Sequence, residues 1–127
     1  MVYRKSSLKS LEELDAALRE AATRHKFGVL GVHDLRQAMA NKGVAFDAEV
    51  RVYEVCNPHH AKTVLLENME VSTALPCRIS IYSAGGQMEV ATVLPTALMT
   101  AFGTSPAMTA TASEVERAMK AIIDETV

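Results

Sequence analysis

Cysteine is scarce: Cys56 and Cys77 are the only two in 127 residues. A chain of this length buries roughly two-thirds of its unfolded surface, so it needs no disulfide to hold a core. Two thiols and seven Met fit a reducing compartment better than a secreted one. Long apolar runs are also missing. Met1-Val2-Tyr3-Arg4-Lys5-Ser6-Ser7 lacks the apolar stretch of a signal peptide, and no window approaches the ~18 consecutive apolar residues of a membrane span. The expected location is the cytoplasm, with no membrane partner. Charge of one sign is lacking as well: 13 Lys and Arg stand against 15 Asp and Glu, for a net charge of −2. That balance argues against a general binder of nucleic acid or acidic membranes. There is no repeat, low-complexity segment or linker, so residues 1–127 are expected to form a single domain.

What is there is ordinary for a globular protein, with 49% apolar and 22% charged residues. Val2 to Lys5 can form an edge strand. Ser10 and Glu13 have capping-box spacing, and Leu11, Leu14, Leu18, Ala21 and Ala22 then recur on one helical face. Phe27 to Val32 has almost no polar residue and reads as a buried strand, with Gly28 and Gly31 permitting close backbone approach. Asp34 can cap a short helix that carries Leu35, Ala38 and Met39 inward and ends at Asn41-Lys42-Gly43. Arg51 to Cys56 is the next strand. Asn57 caps and Pro58 starts the helix after it, with Ala61, Val64 and Leu65 as its apolar face and Asn68 near its end.

Leu75-Pro76 marks a break. Cys77 to Tyr82 alternates at period two, Ser83 to Gly86 forms a turn, and Gln87 to Leu94 returns as a hairpin partner. Pro95 stops that strand. Leu98, Met99 and Phe102 suggest a short helix closed by Gly103, and Thr104-Ser105-Pro106 reads as loop. Thr111 and Glu114 have capping-box spacing at the head of a final amphipathic helix carrying Val115, Ala118, Met119, Ile122 and Ile123. The mixture argues for α+β: a mostly antiparallel sheet with helices packed on one face.

Several of these segments together resemble the domain-of-unknown-function family 302. The residues that carry the likeness are Phe27-Gly28-Val29-Leu30, Lys42-Gly43-Val44, Val52 to Pro58, Ala61 and Leu75 to Ile79. Cys-Asn-Pro followed about twenty positions later by Leu-Pro-Cys-Arg is the specific part. The resemblance spans roughly Ser10 to Pro95. It implies a fold similar to one half of the TATA-box-binding protein, and a small protein that forms a homodimer. It implies no reaction and no nucleic-acid partner, because a fold does not carry its function with it. Sheet-borne DNA binding needs basic and wedge-forming residues on the exposed face, whereas these strands bear Glu and Ser.

No motif names a reaction. Gly28 and Gly31 lack the dinucleotide fingerprint and any Gly-Lys-Ser/Thr sequence, and there is no Gly-x-Ser-x-Gly elbow. No cofactor is implied. Cys56 precedes a helix start, where the dipole lowers a thiol pKa; the bland reading is a small apolar residue closing a strand. Strand alternation places Cys77 with Ile79 and Ile81, as core packing would. A Cys56–Cys77 bond would close a loop of about twenty residues, worth on the order of 3 kcal/mol. Cys56, Cys77, His59 and His60 are acceptable zinc ligands by chemistry, but in no standard spacing, and adjacent helical histidines diverge by about 100°. Arg78 points away from Cys77, toward pairing with Glu54 or Glu89 across the sheet, or toward an anion.

These readings converge on one corner, where Cys56, Asn57, Pro58, Cys77 and Arg78 should meet. A helix start with uncommitted N–H donors and a fixed positive charge suits an anion or a thiolate. The first expectation for function is a dimeric, non-enzymatic module that binds a small apolar or anionic ligand. The second is a thiol-based redox or sulfur-handling protein using Cys56 and Cys77. The third is metal binding through the two cysteines and a histidine.

Overall fold

The period-two segments pair into one sheet and the longer amphipathic segments lie across it. A computed structural model describes residues 1–103 and 105–127. The strands are β1 (Val2–Ser7), β2 (Gly28–Asp34), β3 (Val50–Cys56), β4 (Cys77–Ala84) and β5 (Gln87–Val93). The helices are α1 (Leu11–Arg24), α2 (Leu35–Asn41), α3 (Pro58–Glu67), α4 (Pro95–Met99) and α5 (Pro106–Thr126). Strand order is β1-β5-β4-β3-β2, with every neighbour antiparallel. The fold is α+β. Among the described residues, no helix is long and apolar enough to cross a membrane.

Local chemistry accounts for the element boundaries. The capping box at α1 is complete: Ser10 Oγ accepts from Glu13 N, and Ser10 N donates to Glu13 Oε1, each at 3.1 Å. Asn57 Oδ1 accepts from His59 N and His60 N, and Pro58 takes the first turn of α3. Gly85 and Gly86 both have positive φ, as the tight β4–β5 turn requires.

One face of the sheet is covered. Tyr53, Val55, Ile79, Ile81 and Val90 share a parity in the strand register. All are buried against Leu14 and Leu18 of α1 and Met119 and Ile122 of α5. Glu54, Arg78, Val2 and Val93 have the opposite parity, and among the described residues none of them belongs to the main core. One-sided burial is what an antiparallel sheet permits.

Four expectations need correction. Phe27 to Val32 is not a buried strand: β2 is an edge strand with a bulge between Val29 and Gly31. The extra residue lets Val29 and Val32 both pack on the core, and it sends Leu30 outward, 66% exposed. Helix α2 buries none of its residues, and Leu35 and Ala38 are exposed, because α1 and α5 already fill the core face. Helix α5 starts at Pro106, capped by Ser105 Oγ accepting from Met108 N, so Thr111 is a buried interior residue and no cap. Ser105-Pro106 was the cap and first-turn proline, not loop; Thr104 lies outside the described residues.

A polar network reaches into the core. Tyr53 Oη donates to Asp15 Oδ1 at 2.7 Å, and Arg19 Nε donates to the other carboxylate oxygen at 2.9 Å. Burial foremost, then the Asp15 carboxylate, push the Tyr53 phenol up to about 12. A phenol whose folded pKa exceeds its unfolded value near 10 stabilises the fold below that value and loses the contribution as pH rises through the folded pKa. Tyr53→Phe should therefore cost about 1–3 kcal/mol at neutral pH. In urea titrations the wild type should lose that margin over the variant between about pH 10 and 12. An unchanged margin across that window would refute the assignment.

Candidate functional site

The antiparallel register sets Val55 opposite Cys77 and Glu54 opposite Arg78. The end of β3 and the start of β4 therefore lie side by side, as the sequence predicts. Between them the chain runs out through α3 and a 3-10 segment over Met69–Ala74. That excursion buries its own apolar residues. Val64, Val71 and Met108 form a second hydrophobic cluster with Leu75, Met99 and Phe102 packed against it, separate from the main core.

A cavity of about 40 Å³ lies at the seam. Phe27, Val55 and Val115 line it from the main core, and Val64, Leu75 and Met99 from the second cluster. Cys56, Asn57, His60 and Cys77 also face it. It is roomy enough for water, but the apolar lining offers water few partners. Cys77, Pro95 and Met99 also line a larger cleft of about 360 Å³ at the end of the sheet. Arg78, Thr73, Thr92, Leu98 and Phe102 border that cleft. Cys56 and Pro58 line a third, open groove along the outer side of α3, with Leu65, Leu66 and Met69.

The expected corner is thus divided into three compartments. Cys56, Asn57 and Cys77 share the seam cavity, Pro58 sits on the outer groove, and Arg78 borders the sheet-end cleft. Two of the free N–H groups at the start of α3 are taken by Asn57 itself. Burial pushes the Cys56 thiol up, and it pushes Cys77 up to about 11, with Cys56 adding to the shift. Both thiols are protonated at neutral pH, so the helix start does not deliver a thiolate. His59 is exposed, whereas His60 is half-buried against the Phe27 ring with its Nδ1 3.8 Å from Glu114. Among the described residues, no three His, Cys, Asp or Glu side chains form a group that could hold a metal ion.

Arg78 pairs with Glu54 across the strands, Nη2 to Oε2 at 3.9 Å, and is half exposed. The other Glu54 oxygen meets His33 Nε2 at 2.9 Å. Gly31 makes room for that carboxylate, since a Cβ there would stand 3.1 Å from Glu54 Oε1.

Sequence reasoning missed the far wall of the cleft. Leu98, Met99 and Phe102 have helical spacing, but their segment is too short to show which face it buries. Thr92 looked like one more strand residue; its Oγ1 donates to the Arg78 carbonyl at 2.7 Å. Glu116 of α5 holds α4 in place, accepting at one oxygen from Thr96 N at 3.2 Å and Thr96 Oγ1 at 2.6 Å.

Comparison with known proteins gives a family and a fold. The family described as "Domain of unknown function DUF302" matches residues 3–126. A crystal structure of an uncharacterised conserved DUF302 protein from Bacillus stearothermophilus is similar with a TM-score of 0.92 at 28% identity. The similarity covers 99% of this chain and 98% of that one. No curated protein matches.

The Glu116–Thr96 contact yields a pH prediction. Burial alone would raise the Glu116 carboxyl, but the Thr96 hydrogen bonds and Lys120 outweigh it and hold it below its usual range. A depressed carboxylate pKa stabilises above the ordinary value and loses that contribution as pH falls through the folded value. Hydrogen-exchange protection of α4 amides should drop between about pH 5 and pH 3 in the wild type. Glu116→Ala should show low protection already at pH 7, and equal protection in both proteins at pH 7 would refute the clamp.

Proposed function

Because the chain belongs to the DUF302 family, whose description assigns no activity, we propose from the site alone that it is a non-enzymatic binding module for a small molecule. The ligand joins an apolar body to an anionic group. The observation that carries this reading is the sheet-end cleft of about 360 Å³, apolar on most sides, with Arg78 on its border. That volume is within the range of small-molecule sites. Arg78 stands 3.9 Å from its Glu54 partner, beyond the 2.7–2.9 Å of a tight charge-assisted contact. A ligand carboxylate gains a bidentate partner there without breaking a strong one. A thiol-redox activity that turns over at neutral pH is the weaker alternative, because burial keeps both thiols protonated there.

The same reading takes the fold as similar to one TATA-box-binding-protein repeat, the protein as a cytoplasmic homodimer, and nucleic acid as no partner. Five antiparallel strands with both long helices on one face support the first. Exposed Val2 and Val93 on the uncovered face support the second, and unpaired thiols support the location. Glu54 and Glu89 on that face argue against a DNA backbone. Sedimentation equilibrium should return twice the 13.7 kDa chain mass, and a monomer at micromolar concentration would refute the dimer.

The ligand reading is tested with octanoate and phenylacetate against the matching alcohols. At a hundred times the dissociation constant a ligand adds about 2.7 kcal/mol, a rise of several degrees in Tm. The acids should raise Tm more than the alcohols, and Arg78→Gln should abolish that difference while leaving the alcohols unaffected. No shift with any compound, and no NMR perturbation around Thr92 and Phe102, would sink the reading.

A further inference from the structure

Cys56 ends β3 and Cys77 begins β4, and the pair one step back, Val55 and Cys77, are register partners. Strand spacing and rise then put the Cys56 and Cys77 Cα atoms about 6 Å apart, inside the span a disulfide bridges. Strict alternation would send Cys56 to the opposite face from Val55. But β3 ends there, the backbone turns into α3, and Cys56 lines the same seam cavity as Cys77. The two thiols are near enough that charge on Cys56 raises Cys77. Both cysteines line this one small cavity, about 40 Å³ and mostly apolar.

The two cysteines differ in access. Cys56 also lines the open groove along α3 beside Pro58, Leu65 and Leu66, so a small oxidant reaches it from outside. Cys77 is the more deeply desolvated of the two. We propose that Cys56 and Cys77 form an oxidation site, in which Cys56 is attacked first from the outer groove and Cys77 resolves the adduct by closing a disulfide across the seam cavity. This goes beyond the ligand reading and does not depend on it.

The oxidant is a low-molecular-weight disulfide, R–S–S–R. The Cys56 thiol loses its proton to solvent and its thiolate attacks one sulfur; the S–S bond breaks, and RS⁻ leaves and is protonated. The Cys77 thiol then loses its proton, its thiolate attacks Cys56 Sγ, and the second RS⁻ leaves as RSH. Two protein thiols are oxidised by two electrons in all, and one R–S–S–R becomes two RSH. Because both thiols start protonated, the reaction is slow at neutral pH and accelerates as pH rises. That behaviour suits a site which records a sustained oxidising condition rather than one that turns over.

The test uses the reduced native chain with oxidised glutathione at pH 8, read by non-reducing peptide mapping and intact mass. The expected product is a single chain two hydrogens lighter, with the Cys56 and Cys77 peptides linked and no glutathione retained. Cys77→Ser should instead accumulate one glutathione on Cys56. Cys56→Ser should react at Cys77 several-fold more slowly than Cys56 reacts in the wild type. Each variant's fold is checked by far-UV circular dichroism, with Cys77→Ala replacing a Cys77→Ser that does not fold. If the wild type stops at the glutathione adduct, links two chains, or reacts only in unfolding denaturant, the proposal is wrong. Equal rates at Cys56 and Cys77 in the two single variants would overturn the order of attack.

Discussion

The pairing of β3 with β4 is the constraint on which the rest of the structure depends. Antiparallel neighbours are commonly joined by a short hairpin, but here residues 57–76 intervene. That excursion is too long to stay solvated and too short to make a core alone. It buries Val64 and Val71 on Met108 of α5 and leaves a seam where the second cluster meets the first. Cavity and cleft both lie at that junction, and so do the two cysteines, because β3 must end and β4 must begin there.

Covering one face only has electrostatic consequences. On the covered side, Tyr53 can be buried because Asp15 accepts its hydroxyl and Arg19 satisfies the rest of the carboxylate. On the uncovered side, Glu54 stands between His33 and Arg78 in the solvent-facing layer, and Gly31 leaves it room. Arg78 is therefore a positive charge with a loose partner at the mouth of an apolar cleft. That combination, more than the thiols, gives the site its recognisable chemistry.

The helix start at Asn57 illustrates how one residue can close off a function. A free helix N-terminus stabilises an anion or a thiolate. Here Asn57 Oδ1 accepts from two of the first backbone donors, and the neighbouring Cys56 sits in apolar surroundings that favour the neutral thiol. Cap and burial act side by side: Asn57 takes the backbone donors, and burial keeps the thiol neutral.

The sequence by itself determined the fold class, the α1 capping box at Ser10 and Glu13, the Asn57-Pro58 helix start and the hairpin at Gly85-Gly86. These are local signals, set by a cap, a turn or a period of two, and they need no knowledge of distant residues. The tertiary structure alone decided the rest. The β2 bulge follows from which residues the core accepts, so Leu30 is exposed although its neighbours are apolar. Helix α2 stays uncovered because α1 and α5 occupy the face it would need. The cleft joins the 3-10 segment before β4, the strands β4 and β5, α4 and the turn after it, from Thr73 to Phe102. No local pattern encodes that meeting, because packing between elements, not periodicity within one, brings those side chains together.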